Sequence, residues 1–399
     1  MAETKIQLEN VYKIFGPHPE RGIEFVEQGM SKEKISEEYK LTVGVNNVSF
    51  NVKEGEILVV MGLSGSGKST LVRCINRLIE PTGGKIYVSG EDITQLDEQG
   101  LREMRLKHFG MVFQNFALFP HRTVSQNVGY GLEIQGVEVE ERKRRSQEAL
   151  EQVGLKGQGD SYPAQLSGGM QQRVGLARAL ALNSDIMLMD EAFSALDPLI
   201  RRDMQDELLE LQSRMQKTIV FISHDLDEAL KLGDRIVLMK DGYIVQEGTA
   251  EEILTKPADD YVAKFVEDVD MSKVLTAETV MKHCEATANW RTDGPRAALR
   301  KMRKAGISSI FVVEDSNHLV GVVMAEEAAK AVEKEEKTLE SIINRDIKTV
   351  SPDVSANDLF AELSTIGYPL AVVDEEKRLR GVIVRGTILA ALSDRGVVQ

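Results

Sequence analysis

Three glycines, a lysine and three serines fall close together in Gly62-Leu-Ser-Gly-Ser-Gly-Lys-Ser69, with Thr70 following. The segment fits the spacing G-x-x-x-x-G-K-[ST] in full, and the chemistry that spacing serves is phosphate binding. Glycines let backbone N–H groups close around phosphate oxygens, and a helix that starts there adds the positive end of its dipole. Ser64, Gly65, Ser66 and Gly67 form the cradle, and Thr70 lies in the first turn of the helix. Lys68 is placed to reach β- and γ-phosphates, and the Ser69 hydroxyl to hold Mg²⁺. A second candidate is Ile186-Met-Leu-Met-Asp-Glu191, an apolar strand ending in two carboxylates. Ligand groups gather at strand C-termini in open α/β sheets. Asp190 suits support of Mg²⁺, directly or through water. Glu191 suits a general base that polarises an attacking water, a role worth about 10²–10⁴-fold.

Leu166-Ser-Gly-Gly-Met-Gln-Gln-Arg173 supplies a further anion site. Ser167, Gly168 and Gly169 precede a helix expected over Gln171–Leu182, so a second helix N-terminus can face phosphate. One chain already has a P-loop, and a second such site has a use if it closes over the γ-phosphate held by another subunit. Here the sequence resembles the ABC transporter ATPase family, whose signature is LSGGQ. Met170 stands where the consensus has Gln, and Ser167, Gly168 and Gly169 are intact. The family's order continues with Gln114 in the Q-loop, Ser194-Ala-Leu-Asp197 as the D-loop, and His224 after a strand at Thr218–Ser223. Phe15 falls where the family places an adenine-stacking aromatic. The resemblance covers about residues 5–255. It implies ATP and Mg²⁺ as cofactors, with the metal near Ser69, Gln114 and Asp190 and catalysis by Glu191 and His224. It also implies a homodimer in which Ser167, Gly168, Gly169 and Asp197 reach ATP on the opposite subunit.

The elements needed to position these residues are legible as short apolar runs. Gly55–Met61 reads as a buried strand ahead of the loop, with a helix over Ser69–Leu78 behind it. Gly110–Phe113, Ile186–Met189, Ile219–Ile222 and Arg235–Met239 have core-strand length and lie near helix-like segments, the α/β signature. Residues 134–183 lack such strands and predict a helical insert, with charge and apolar positions alternating at helical spacing over Glu140–Val153. Two β-like segments, Lys5–Ile14 and Leu41–Val52, are interrupted by a polar stretch that reads as helical over Glu24–Tyr39.

Past Pro257 an internal repeat takes over. Phe311-Val-Val-Glu-Asp-Ser-Asn-His-Leu-Val-Gly-Val-Val323 aligns without a gap on Ala371-Val-Val-Asp-Glu-Glu-Lys-Arg-Leu-Arg-Gly-Val-Ile383. Each copy reads as strand, acidic turn, strand, with Gly321 and Gly381 opening the second strand. Helix-like segments precede both, at Pro295–Ala305 and Ser355–Ile366. Two similar small domains packed together are expected, because one unit alone buries little surface. The expected fold class is α/β: a P-loop ABC ATPase domain over 1–270 with a helical subdomain at about 115–183. It is followed by an α+β tandem of CBS domains over 271–399, divided at about 276–332 and 338–395.

The polar insert at about Gly16–Leu41, the segments Phe113–His121 and Asp190–Pro198, and the tandem repeat occur together in one branch of the family. In these features the chain looks like the ATP-binding subunit of glycine betaine/proline betaine importers with a C-terminal CBS pair. That resemblance implies ATP hydrolysis driving osmoprotectant uptake, with integral-membrane permease subunits and a substrate-binding protein or domain as partners. It further implies a nucleotide ligand as a candidate occupant of the CBS pair. Service to another small-molecule importer is the alternative within transporters.

Composition sets the outer limits. The 399 residues are 42% hydrophobic and 28% charged, enough to bury a sizeable core. The net charge is −14, and residues 272–399 carry only −1 of it, with 18 basic and 19 acidic groups. The acidic total argues against nucleic acid as a partner, since that binding draws on Lys and Arg contacts to phosphate. Cys74 and Cys284 have neither disulfide nor metal-ligand spacing, which suits a reducing compartment. No apolar run approaches the roughly 20 residues of a spanning helix, and MAETKIQLEN lacks a signal-peptide core. The expected location is therefore peripheral, on the cytoplasmic face of the cell membrane, held there by partners. Arg142-Lys-Arg-Arg145 is a basic cluster in acidic surroundings. It reads as a solvated helix face balanced by nearby glutamates, or as a contact to anionic lipid or permease. Soluble ABC ATPases acting on ribosomes or DNA usually carry two cassettes or a long coiled-coil insertion, and one P-loop is present here. A purely regulatory, soluble nucleotide-binding protein has no need of both Glu191 and His224.

Overall fold

The computed structural model describes residues 3–267, 269, 275–384, 386 and 387. The chain divides into two compact units, Met1–Val269 and Asp270–Gln399. The first opens with the antiparallel pair β1 (Thr4–Phe15) and β2 (Thr42–Lys53). The chain then enters β3 (Ile57–Met61), returns to the first sheet with β4 (Gly83–Val88) and β5 (Glu91–Asp92), and continues through β6 (Phe109–Phe113). Strands β7 (Ile186–Asp190), β8 (Thr218–Ser223), β9 (Arg235–Lys240) and β10 (Tyr243–Gly248) follow. Two sheets result: an antiparallel one ordered β2-β1-β4-β5, and one ordered β10-β9-β3-β8-β7-β6. In the second sheet only β10 is antiparallel to its neighbour.

Every residue of β3, β7 and β8 is buried. Continuous burial requires continuous apolar sequence, which is why these strands show no alternation. The helix Lys68–Ile75 places Leu71, Val72, Cys74 and Ile75 in the same core as Leu58 and Val60 of β3 and Ile6 and Leu8 of β1. Burial pushes the Cys74 thiol up to about 12, making it a packing group rather than a nucleophile. The helix stops three residues short of the expected Leu78, because Arg77 adopts a left-handed φ of 51°.

The segment between β1 and β2 is two helices, Arg21–Glu27 and Lys32–Tyr39, rather than the single one expected over 24–39. Gly29 at φ +77° breaks the run, and Ser31 caps the second helix through Lys34 N–H. Ile35 is fully buried with Ile14, Leu41 and Val43, and Phe25 stacks on Tyr39 at 4.0 Å. The insert is thus packed onto the hairpin that carries it.

Between Phe113 and Ile186 the described structure is helical, with no strand. Its main helices are Val139–Gln152 and Gly168–Ala181, preceded by two short ones at Val124–Val128 and Tyr130–Ile134. The basic cluster is internally neutralised. Glu133 takes Arg142 at 3.4 Å, Glu140 takes Lys143 at 3.0 Å and Glu141 takes Arg144 at 2.6 Å. Arg145 donates to the Ala181 carbonyl at 2.6 Å. This is the solvated, paired helix face, and exposed pairs of this kind are each worth about 0–1 kcal/mol.

The second unit holds two three-stranded sheets of identical design. They are β11 (Thr287–Asn289), β12 (Ser309–Glu314) and β13 (His318–Met324), and β14 (Thr349–Val350), β15 (Leu370–Val373) and β16 (Leu379–Ile383). In each, the first two strands are parallel and the last two antiparallel. Gly321 and Gly381 do not open the last strands as expected but sit inside them, opposite Val312 and Val372, each beside a register shift. The physical reason is a crossing chain. A Cβ on Gly321 would lie 2.3 Å from the Asn344 carbonyl, and one on Gly381 2.9 Å from that of Lys282. Val322 exchanges both backbone bonds with Asn344, and Val382 with Lys282. The leading segments are accordingly exchanged between halves: Leu275, Ala277 and Val280 pack with the second sheet, and Leu339 with the first. Phe311, Val313 and Val322 meet Ala371 and Leu379 in a shared core. Among the described residues no helix is long and apolar enough to cross a membrane.

Trp290 is the chain's single tryptophan and belongs to this unit, with the Arg345 guanidinium 4.9 Å above its ring. Gly321→Val should therefore lower the unfolding transition seen by Trp290 fluorescence, by about 1–3 kcal/mol for an overpacked site. An unchanged transition would contradict the close crossing at Asn344.

Candidate functional site

The phosphate loop is fixed by backbone geometry before any ligand is considered. Gly62, Gly65 and Gly67 have φ of 146°, 79° and 101°. A Cβ on Gly62 would lie 2.2 Å from the Met239 carbonyl, and one on Gly67 2.1 Å from that of Gly44. The turn after β9 completes the brace: Gly242 N–H donates to Ser66 O at 3.0 Å, and Gly242 O accepts from Asn46 N–H at 2.8 Å. Lys68 is buried and donates to the carbonyls of Gly62 and Leu63 at 2.7 and 3.0 Å. Burial lowers its pKa, while Glu191 and Asp190 pull the other way. The Ser66 hydroxyl is buried without a hydrogen-bond partner. A cradle open only to glycine, a desolvated ammonium and an orphaned hydroxyl together fit a phosphate group. Ser64 and Gly65 lie exposed at the apex of the loop.

Asp190, the last residue of β7, accepts from Ser69 Oγ at 3.0 Å and from Arg73 at 3.2 Å. The Ser69 hydroxyl and the Asp190 carboxylate are hard oxygen ligands of the kind Mg²⁺ takes alongside nucleotide phosphates. No cluster of three or more His, Cys, Asp or Glu able to hold a metal occurs among the described residues.

The next residue, Glu191, has a left-handed φ of 48°. A non-glycine residue there costs on the order of 1–3 kcal/mol, a cost that clusters at functional sites. The turn leaves its carboxylate beside two partners. Gln114 Nε2 donates to Glu191 Oε2 at 3.3 Å, and His224 Nδ1 lies 3.3 Å from the same oxygen. Gln114 also donates to Ser194 Oγ at 3.1 Å. The ends of β6, β7 and β8 thus bring Gln114, Glu191 and His224 to one point. Phe15 ends β1, partly exposed, with Lys13 Nζ 4.9 Å from its ring. Gly44 packs between it and Thr70, a Cβ there reaching both at 2.9 and 3.3 Å.

The helix after the second glycine pair begins at Gly168, three residues earlier than expected, with Ser167 as its N-cap accepting from Met170 N–H at 3.4 Å. The Gly168 and Gly169 N–H groups therefore lie in the first turn, open for an anion. A Cβ on Gly169 would lie 2.7 Å from Ile200 Cγ2, which ties this turn to the helix capped by Asp197. Asp197 makes no side-chain hydrogen bond to that helix. None of the described hydrogen bonds joins Ser167 or Asp197 to the P-loop of the same chain.

Several supporting residues lacked a sequence signal. Arg178 donates to the Ala117 and Phe116 carbonyls at 2.6 and 3.0 Å, holding the left-handed turn after Gln114. Its pKa is lowered by burial. Arg73, Gly242 and Arg201 belong to the same class, because only the fold shows the carbonyls and carboxylates they meet.

The ABC transporter family model matches residues 45–194, and the CBS domain model matches 291–334 and 339–394. The chain is 56% identical to the glycine betaine/carnitine transport ATP-binding protein GbuA of Listeria monocytogenes, covering 99% of each chain. It is 55% identical to the glycine betaine transport ATP-binding protein OpuAA of Bacillus subtilis, covering 98% of this chain and 92% of that one. To the glycine betaine/proline betaine transport system ATP-binding protein ProV of Escherichia coli it is 47% identical, covering 98% of each. Among solved structures it is similar to the ATP-binding cassette MJ0796, described as a dimer in a post-hydrolysis state bound to ADP and Pi. The TM-score is 0.53 at 34% identity, over 61% of this chain and 98% of that one.

Gly67→Ala is expected to abolish nucleotide binding, because the methyl meets the Gly44 carbonyl and φ is +101°. Titration with a fluorescent ATP analogue checks it; wild-type affinity would contradict the geometry of the loop.

Proposed function

The chain belongs to the ABC transporter family, as an ATP-binding protein with tandem CBS domains, and from that premise we propose how its residues hydrolyse ATP and what the hydrolysis drives. It is the ATPase subunit of an importer. The observation that carries the mechanism is the Glu191 carboxylate, turned out of β7 beside the P-loop and held by Gln114 and His224.

Phe15 stacks on adenine, and the loop from Ser64 to Gly67 with Lys68 and Thr70 holds the phosphates. Ser69, Gln114 and Asp190 would hold Mg²⁺, which would neutralise charge on the phosphate oxygens. Glu191 accepts a proton from water as the water oxygen forms its bond to the γ-phosphorus. The bond from that phosphorus to the β–γ bridging oxygen breaks, and ADP leaves with the electron pair. Gln114 and His224 fix the carboxylate toward the water, with His224 facing the γ-phosphate.

The functional unit is a homodimer with two ATPs at its interface, each between the P-loop of one subunit and Ser167, Gly168, Gly169 and Asp197 of the other. This is an isologous arrangement. Ser167 and Asp197 supply their ATP contacts across that interface, which accounts for their lack of bonds to their own P-loop. The dimer sits at the cytoplasmic face of the membrane on integral permease subunits, contacted through the Gln114–His121 segment and the helical region near 134–165. A substrate-binding protein or domain delivers the cargo. Full-length similarity to proteins named for glycine betaine transport supports quaternary-amine osmoprotectants as that cargo. The unit at 270–399 regulates the cycle, with a nucleotide as candidate ligand; it alters transport only if that ligand prefers one arrangement of the complex.

Glu191→Gln should bind ATP with wild-type affinity and lower turnover by about 10²–10⁴-fold, read by phosphate release. A rate within about threefold of wild type would remove Glu191 as the base. Deleting residues 272–399 should leave basal hydrolysis by the assembled transporter intact while changing its response to salt or to a cyclic dinucleotide. Identical response curves would reduce this unit to a dimerisation appendage.

A further inference from the structure

The mechanism makes no use of a buried glutamate four residues beyond His224. Glu228 is 5% exposed, as is Gln205, and Ser223 is 1% exposed. Gln205 Nε2 donates to Glu228 Oε1 at 3.1 Å, and the Ser223 hydroxyl donates to Glu228 Oε2. Burial raises the Glu228 pKa, which the Ser223 and Gln205 bonds oppose. A lone carboxylate in a core is costly, so a site that keeps one is expected to use its bonds.

Beside this contact lies a second one. Arg201 Nη1 donates to Asp225 Oδ2 at 3.2 Å, while its other nitrogens reach the carbonyls of Phe193, Ser194 and Leu196 at 3.2 to 3.3 Å. Asp225 in turn caps the helix Leu226–Leu232 through Glu228 N–H at 3.3 Å and donates its own N–H to Ser223 Oγ at 2.9 Å. Arg201 and Gln205 are four residues apart on the helix Pro198–Met215, hence on one face. Their partners, Asp225 and Glu228, lie just after His224, at the start of the helix Leu226–Leu232. Both neighbours of His224 in sequence, Ser223 and Asp225, belong to the network, and at its far end are the carbonyls of the loop leading to Asp197.

We infer that Arg201–Asp225 and Gln205–Glu228 form a double latch that positions His224 and the Phe193–Asp197 loop as one body. This rests on the reading of the site above, in which Asp197 contacts the opposite subunit's ATP. The latch then carries the state of one ATP site to the histidine of the other. These four are positioning residues, since none touches substrate in that reading. The two contacts act together, each needed to hold the turn, and differ in chemistry: one is a partly exposed ion pair, the other a buried hydrogen bond.

The test uses the intact complex and compares wild type with Arg201→Ala, Gln205→Ala, Glu228→Ala and Glu228→Gln. The measurements are kcat, KM for ATP and the Hill coefficient of hydrolysis. Loss of the latch should lower kcat about tenfold with KM within about twofold, and bring the Hill coefficient toward one. Glu228→Gln keeps the acceptor for Gln205 and turns the other position into a donor, which Ser223 Oγ can meet by accepting while its own hydroxyl turns to the Asp225 carbonyl 3.2 Å away, so it should retain at least about half of kcat. Arg201→Ala and Gln205→Ala carry the test if Glu228→Ala fails to fold, because neither removes the buried carboxylate. Variants indistinguishable from wild type, alongside a Glu191→Gln control that has lost hydrolysis, overturn the latch and leave the site reading standing. A wild-type complex without hydrolysis overturns both.

Discussion

At the phosphate loop, four pieces of backbone meet with no room for a side chain between them. The Met239 carbonyl closes on Gly62, the Gly44 carbonyl closes on Gly67, and Gly242 bridges Ser66 to Asn46. This crowding converts three distant segments, β2, β9 and the turn after β9, into one rigid seat for the helix Lys68–Ile75. Its consequence is electrostatic. Lys68 is held in a buried position where its charge is only partly compensated, so the loop is a strong site for an anion before one arrives. The apolar strands then have one task, to set β3, β7 and β8 side by side so that Lys68, Asp190, Glu191 and His224 emerge at one edge.

In the proposed dimer, one chain carries halves of two different sites. The P-loop edge is densely bonded within the subunit: Ser69 to Asp190, Gln114 to Glu191, Glu191 to His224. Among the described hydrogen bonds, the Ser167 side chain is joined to its own first turn, and Asp197, at the N-cap position, makes no side-chain bond to its helix. The helical region that bears Ser167 is nonetheless joined to the catalytic edge, because Arg178 grips the turn after Gln114. A displacement of that turn therefore reaches both Glu191 and the helix of Ser167.

The residues proposed for nucleotide binding and catalysis could be picked out in the sequence because each sits in a motif whose spacing reflects local backbone geometry. The Gly62–Ser69 spacing encodes a turn, and Ile186–Glu191 encodes a buried strand that ends on carboxylates. Residues that act through tertiary contacts were not legible. Arg201, Gln205 and Glu228 are ordinary helix residues until Asp225 and Ser223 are seen beside them. Element ends escape sequence patterns where one backbone angle decides: Arg77 ends its helix early, and Gly29 splits the insert in two. The same holds for Gly321 and Gly381. Periodicity marks a glycine at each strand, but only the crossing segments at Asn344 and Lys282 explain why it lies inside the strand.

The central claim is that each ATP is held by the P-loop of one subunit and the Ser167 turn of the other. Mixed dimers of Lys68→Ala and Ser167→Arg subunits test it directly, by measuring ATP hydrolysis. In a mixed dimer both lesions fall in the same composite site, so the other site should be intact and hydrolyse ATP. Hydrolysis no greater than that of either mutant alone would contradict the shared site.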